Sequence, residues 1–563
     1  MTHSQATPNT DTRPDPVFWS SFDTAHAFAD FSDPLNPPFS QRHYAQQHGI
    51  PRSTLGYWLR KDFPDHLDPD LVWFFRCPVG QAFLRRLVLA LLLIFHHKNA
   101  CGLRPIGSFL EQVELDHFVG SSYGALYDLD LWLQDNLDLF AQQERQRLIP
   151  GMAPKDIVLC PDENFHGPHV CLVAIEPVSN FIVVETYRDQ RDSVTWAEVI
   201  RAGSNDLPVH VVLLTSDQAS GLVCCAETEL QIAHQPDLLH LQHDLAKQIL
   251  LPLARPIHQA VKDLEKLKQQ EDRLEKAEET KPGSMTIEKC VAHLQAQKQT
   301  QKELEETRQR QHKAVEQIRR VSEVYHPFDR ETGQPVTAEQ MKQRLDEPIQ
   351  RLQEVVEEAG LSEQAHQAVH KARKWVVLLV GCIGWFWTMT RQRLEKLDRS
   401  EEAQRVIQEC LIAGYYWEMA SVKEKDPEKR KRQAELARQL KEKAWAKGSV
   451  LAGWSQVEKE EIERVARQGA ELFQRSSSCV EGRNGRLSLF HHGQTRMSEK
   501  RLKALTAIHN YVVRREDGTT AAERFFGQPQ RDAFSWLLEK MPDLPHPAAK
   551  RRKQPSDERP AVA

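Results

Sequence analysis

The sequence predicts an α/β core set within a mostly helical chain, and three observations predict it. Residues 156–250 alternate β-branched runs with amphipathic stretches in the order β-β-β-α-β-α-β, which suits a mixed five-stranded sheet with helices on its faces. From about 256 to 325 the chain is rich in Gln, Glu, Lys and Arg. Its recurrent leucines (Leu264, Leu267, Leu274, Leu294 and Leu304) predict an antiparallel coiled-coil hairpin, broken near Pro282-Gly283. Residues 31–66 carry the spacing of a helix-turn-helix.

Residues 1–30 are polar and rich in Pro, Thr and Asp, which predicts a poorly ordered arm. In the segment that follows, Ser40 is placed to cap a short helix, Gly49 to permit the turn and Ile50 to plug the gap between helices. Pro51 suits a first helical position, and Leu55, Trp58 and Leu59 supply a packing face. The second helix would then offer Arg52, Ser53, Thr54 and Tyr57 to a major groove. A helical hairpin with no such role has the same spacing. Residues 67–150 read as helical with an apolar centre around Leu84–Phe95.

The first part of the sheet region is 151–255. Ile157–Leu159 reads as a short buried strand ending at Asp162. His169–Glu176 and Phe181–Glu185 follow, joined by a turn at Pro177–Asn180. Ser193–Ala202 reads as a helix, Val209–Leu214 as a strand ending at Asp217, Ala219–Ile232 as a helix and Leu238–Leu241 as a fifth strand. Residues 256–470 form a helical and coiled-coil insertion, 471–540 return to the core, and 541–563 form a basic, disordered tail with Lys550-Arg551-Arg552-Lys553.

At 563 residues the chain exceeds one compact core, so three or four domains are expected. Its 27% charged and 40% hydrophobic residues are ordinary for a soluble protein. A net charge of −5 does not announce a nucleic-acid binder, but Arg475–Glu516 holds nine Arg and Lys against three Glu, a local +6. The ten cysteines show no CxxC pair and no zinc spacing, which predicts a reduced, cytoplasmic compartment. No signal-peptide pattern opens the sequence. The apolar runs Leu87–Phe95 and Trp375–Met389, of nine and fifteen residues, fall short of the roughly 20 needed to cross a bilayer, so no membrane role is expected.

Asp162, Asp217 and Glu481 are the candidate site. If the strands before the two aspartates are parallel neighbours, both side chains emerge at the same carboxyl edge of the sheet, with Glu481 on a helix packed against that edge. Three converging carboxylates can hold two Mg²⁺ ions, with Mn²⁺ as a substitute, and such a pair can activate a water or a 3′-hydroxyl at a phosphodiester. Glu163 competes with Asp162, and Glu523 with Glu481, although Glu523 also reads as a structural ion pair with Arg524. Asp217 has a second reading as a helix cap. His240 and His166 lie near the acids, where a lone histidine is more often structural. Arg483 and Arg486, one helical turn apart, could hold phosphates or form a solvated face.

At these residues the chain resembles bacterial insertion-sequence transposases of the DDE class, which have a ribonuclease-H-like core. Leu159-Cys160-Pro161-Asp162-Glu163 is similar to their first-acid motif, and Thr215-Ser216-Asp217-Gln218-Ala219-Ser220-Gly221-Leu222 to their second. Gln235–Leu241 resembles the segment after it. Ser476–Leu487, centred on Val480-Glu481-Gly482-Arg483-Asn484, resembles their third-acid helix, and His509–Arg515 with Thr519–Phe526 a common C-terminal segment. The resemblance covers roughly 35–65, 150–250 and 470–540, and the insertion of about 220 residues departs from compact members. It implies metal-dependent cleavage at transposon ends and 3′-hydroxyl strand transfer. It also implies Asp162, Asp217 and Glu481 as catalytic metal ligands, double-stranded DNA as partner, a homodimer or higher oligomer on DNA, and a nucleoid-associated location. Two alternatives stay open: a domesticated DNA-binding regulator and another ribonuclease-H-like nuclease.

Overall fold

The protein, seen in a computed structural model, is described over residues 26–27, 30, 40–59, 69–166, 169–280, 286–493 and 497–547. Most of the expected arm, the hairpin break at Pro282-Gly283 and the Lys550–Lys553 run lie outside the described residues. The chain is a mixed α/β protein, largely helical, with one mixed five-stranded sheet. It divides into two compact units, Met1–Leu137 with Asp532–Ala563, and Asp138–Arg531.

In the first unit, short helices span Gln41–Gln47 and Arg52–Leu59. The Ser40 side chain accepts from His43 N at 3.1 Å and caps the first. Gly49 turns the chain at φ 65°, a left-handed conformation that a side chain would strain. Tyr44, Ala45, Ile50 and Leu55 bury together with Ala27, a cluster that includes the expected plug Ile50 and one residue, Leu55, of the expected packing face. Arg52 and Ser53 are exposed and Thr54 is half-buried. The side chains of Tyr57, Trp58 and Leu59 lie outside the described residues.

Further along, Pro78–Ala90 runs into a π-helical stretch, Leu91–Lys98. Together they make a 21-residue helix that contains an 18-residue window of mean hydropathy 1.7, long and apolar enough by length and composition to cross a membrane. The nine-residue run Leu87–Phe95 underestimates it, because Pro78 starts the helix well upstream. Leu84, Val88, Leu89 and Leu91–Leu93 are buried within the protein.

The second unit holds the sheet. Its strands are β1 (Lys155–His166), β2 (His169–Glu176), β3 (Phe181–Arg188), β4 (Val209–Ser216) and β5 (Ala233–Pro236), in the order β3-β2-β1-β4-β5. The pairs β1–β2 and β2–β3 are antiparallel, while β1–β4 and β4–β5 are parallel. The β2–β3 turn is built by Glu176, whose carboxylate accepts from Val178 N and Ser179 N at 2.8 Å each, with Asn180 at φ 66°. Helix Ser193–Ser204 covers β3 and buries Trp196 and Ile200.

Two expectations are corrected. The first strand does not end at Asp162: β1 runs on to His166, because beyond Leu159, where pairing with β4 stops, it continues against β2 from Cys160↔Ile175 to His166↔His169. The polar run Glu163-Asn164 hid this half. The fifth strand is Ala233–Pro236, and Leu238–Leu245 is a helix. Pro236 lacks a donor to extend the ladder, and Asp237 caps the helix by accepting from Leu239 N at 2.8 Å.

Among the described residues the insertion is largely helical, with one isolated bridge, Phe328↔Pro335. Leu251–Thr280 packs along Ile287–Val324. Leu304 is buried on that hairpin, whereas Leu294 is exposed. The apolar run after Trp375 lies inside the helix Glu363–Glu395. There Trp375, Val376, Leu379, Ile383 and Phe386 join a core that extends from Leu238 to Phe473.

Candidate functional site

Register explains why two distant aspartates meet. On the parallel pair, Leu159 faces Leu214. Asp162 lies three residues beyond the first and Asp217 three beyond the second, so both reach the same level of the sheet. Side chains alternate along a strand, so Asp162 and Glu163 take opposite faces of β1, while Asp217 directly follows the last residue of β4. Neighbouring Glu163 projects to the other face, where it pairs with Arg191 and accepts from Trp196 Nε1 at 3.4 Å. Its alternation and its partners separate it from the Asp162 face. Asp217 Oδ1 accepts from Ala219 N at 3.0 Å, a turn contact just after β4. The following helix starts after Ala219, which makes no side-chain cap.

Glu481 lies in the first turn of the helix Ser478–Gly493, which packs on β1 and β2 through an apolar side that includes Val480, Leu487 and Phe490. Its carboxylate is 44% exposed and lies 3.9 Å from His240 Nδ1. Asn484, one turn on, donates from Nδ2 to Asp162 Oδ2 at 2.7 Å, while its buried Oδ1 has no hydrogen-bond partner. Asp162 Oδ1 accepts from Glu163 N at 2.8 Å.

The electrostatics show how crowded the acids are. Burial pushes the Asp162 carboxyl up to about 6; the bond from Glu163 N opposes this, the charges of Asp217 and Glu481 add to it, and His240 opposes it. Asp162 thus feels both other acids. The hydrogen bond to Asp237 raises His240 to about 9 against the effect of burial, and the charges of Asp237, Asp217 and Glu481 add to the rise. His240 is therefore an imidazolium near neutral pH, a cation among carboxylates. Hard oxygen donors with surplus negative charge and a spare amide oxygen suit a hard divalent cation.

Asp237, which sequence reasoning passed over, ties this region together. It is fully buried and accepts from His240 Nδ1 at 3.0 Å and from Ser477 Oγ at 2.5 Å, besides capping its helix. Burial pushes its carboxyl up, but the bonds from His240, Ser477 and Leu239 N outweigh it and hold it below the ordinary range. Gln235 Nε2 donates to Gln474 O, and Leu238 N to Arg475 O at 3.2 Å. The end of β5 is thereby stitched to the segment that launches the Glu481 helix. Ligand atoms of Asp237, His240 and Glu481 lie within 4.8 Å of one another. The signals for Asp237 and Asn484 were a Pro-Asp pair opening a leucine-rich run and a three-residue offset from Glu481 on one helix face.

Other expected residues stand elsewhere. Arg483 does not face phosphates: it is buried and grips Glu185 of β3 with two bonds, Nε–Oε1 at 2.8 Å and Nη2–Oε2 at 2.6 Å. A basic run hid this, because the buried carboxylate it needs is 298 residues away. Arg486 is half-buried. Glu523 is the N3 member of a capping box with Thr520 and pairs with Arg514 at 3.3 Å, so the expected ion pair has Arg514 as its direct contact. His166 bonds Tyr187 Oη at 2.7 Å and stacks on His491.

A family described as a family of unknown function (DUF6399) matches residues 407–554, a stretch that includes Glu481 but neither Asp162 nor Asp217. No curated protein matches the chain.

Proposed function

We propose that this protein is a DDE-type DNA transposase with a ribonuclease-H-like core, cutting transposon ends and joining the freed 3′-hydroxyl to target DNA. The observation that carries the reading is that Asp162 lies on one strand and Asp217 just after its parallel neighbour, with Glu481 on a helix packed against the first of these strands. The first two come from adjacent parallel strands in matching register, and all three are close enough for Asp162 to feel both others. Crowding of carboxylates, two of them half-buried, without enough positive charge is unfavourable unless a cation is bound, which gives such a cluster a functional rather than a stabilising meaning.

Asp162, Asp217 and Glu481 are the residues that would hold Mg²⁺, which when bound supplies the charge to activate an attacking hydroxyl and to steady the leaving oxygen. Asn484 orients Asp162. Asp237 aims His240 at the Glu481 side, where an imidazolium can contact phosphate oxygens of a bound strand. In the N-terminal unit, Arg52, Ser53 and Thr54 at the start of their helix support a helix-turn-helix that reads transposon-end DNA, with partners and oligomeric state as expected for strand transfer.

The test is an in vitro reaction of the full chain with a supercoiled plasmid carrying its gene and both flanks, in Mg²⁺ or Mn²⁺. Nicks mapped to inverted repeats at the flanks, and joined products in a second plasmid, are the expected outcome. Binding to the flanks without cleavage in either metal would instead favour the regulator reading.

A further inference from the structure

The first unit contains a second cluster, which the proposed chemistry does not use. His96, His97 and Asp130 are each at most 3% exposed, and their ligand atoms lie within 4.8 Å of one another. His97 Nε2 is 2.6 Å from Asp130 Oδ1, and His96 Nε2 is 3.5 Å from Asp130 Oδ2.

Backbone and tautomer both shape this cluster. The two histidines end the π-helical stretch Leu91–Lys98. Consecutive residues of an α-helix turn by about 100°, but the wider π turn narrows that angle and brings neighbours onto one side, a device frequent at functional sites. Ile94 and Phe95 face outward while both imidazoles face in. The chain then doubles back, with Cys101 N donating to Phe95 O at 2.9 Å and Cys101 O 2.6 Å from His96 Nδ1. A carbonyl oxygen only accepts, so His96 Nδ1 carries the proton. The other ring nitrogen, Nε2, faces Asp130 Oδ2 at 3.5 Å, where a cation can bridge the imidazole and the carboxylate. Gln134 Nε2 donates to Asp130 Oδ2 at 2.8 Å. Outer hydrogen bonds of this kind, to a carbonyl behind a histidine and from an amide behind a carboxylate, orient metal ligands. The C-terminal end of a helix also favours positive charge.

We propose that His96, His97 and Asp130 bind one divalent transition-metal ion, with Zn²⁺ the best match, through two imidazole Nε2 atoms and the Asp130 carboxylate. Two nitrogens and two oxygens suit a four-coordinate Zn²⁺ site, whereas Mg²⁺ prefers all-oxygen shells. Binding displaces the proton shared between His97 and Asp130, which leaves to solvent, and fixes the helix Pro78–Lys98 to the helix that carries Asp130.

The experiment uses the full-length chain stripped with EDTA and titrated with Zn²⁺ by calorimetry, beside a Glu481→Gln variant that disables the acidic cluster. One Zn²⁺ equivalent that persists in Glu481→Gln and weakens at least tenfold in His96→Gln and in His97→Gln is expected. Co²⁺ added to the Glu481→Gln protein should give visible ligand-field bands of four-coordinate strength, a readout that stands even where a histidine variant does not fold. Zn²⁺ binding that vanishes in Glu481→Gln, that is unchanged in folded histidine variants, or that is accompanied by no Co²⁺ bands would overturn the proposal and leave the cluster a buried hydrogen-bond network.

Discussion

Asn484 donates its side-chain amide to Asp162 at 2.7 Å, joining the helix of the third acid to the strand of the first across 322 residues of sequence. Both ends of the bond belong to the proposed catalytic apparatus, so its loss should disturb geometry before it disturbs the fold. A hydrogen bond to a charged group is worth about 1.5–3 kcal/mol. Asn484→Ala should therefore slow DNA cleavage about tenfold to a hundredfold, with a melting temperature close to that of the unchanged protein. A cleavage time course beside a thermal melt checks both halves.

Asp162→Asn, Asp217→Asn and Glu481→Gln should each abolish cleavage in Mg²⁺ and Mn²⁺ while leaving DNA affinity within about twofold. One lost carboxylate spoils a two-metal clamp but not a distant binding surface. Glu523→Gln should cleave normally, since that carboxylate is used in a capping box. Full activity in Glu481→Gln would remove Glu481 from the site.

Arg483→Ala should destabilise the protein by about 3–5 kcal/mol, because it strands the Glu185 carboxylate in a fully buried position. Thr506 also donates to that carboxylate, so Glu185 has little freedom to turn away. Any fall in DNA binding should track the unfolded fraction in a denaturant titration. An affinity loss in fully folded Arg483→Ala protein would return this arginine to the phosphate-binding surface.

Glu471 supplies the pH dependence. Burial raises its carboxyl to about 7; the charge of Glu176 adds to the rise and Lys155 opposes it. A carboxyl whose folded value lies above its ordinary 4.5 holds a proton more tightly in the fold, so its contribution to stability is lost as pH rises from about 4.5 through 7. Glu471→Gln should match the unchanged protein below about pH 4.5 and exceed it by roughly 1–3 kcal/mol above pH 7. Urea titrations at pH 4.5 and 8 test this, and an equal difference at both would refute it.

Arg52→Ala should weaken binding to the transposon-end sequence more than to random duplex, by about 1–3 kcal/mol of discrimination, if this exposed side chain reads a base. Equal losses on both DNAs would reduce it to a phosphate contact.

These tests separate what pattern reveals from what only packing decides. The N-terminal turn was legible because Ser40, Gly49 and Ile50 act through local geometry, and so were the buried halves of β1 and β4, whose apolar runs stop just short of Asp162 and Asp217. The outer half of β1 was not legible, because Glu163 and Asn164 are held in the strand by β2 rather than by their own propensity. Arg483 was misread for a related reason: an arginine in a basic run looks solvated until its buried acid is found on another strand. The helix after Asp237 was mistaken for a strand because Leu238-Leu239-His240-Leu241 is too short a run to show a period.

The stitching at the end of β5 has a consequence for how the chain could have acquired its helices. Asp237 and Ser477 are 240 residues apart, yet their side chains are 2.5 Å from each other. To the sheet, the whole intervening mass is a loop whose mouth is already closed, no wider than a turn. Material could be added beyond that mouth without moving any of the three acids, whereas the helices Glu363–Glu395 and Gln456–Glu471, which pack on β5 and β1, would have to stay.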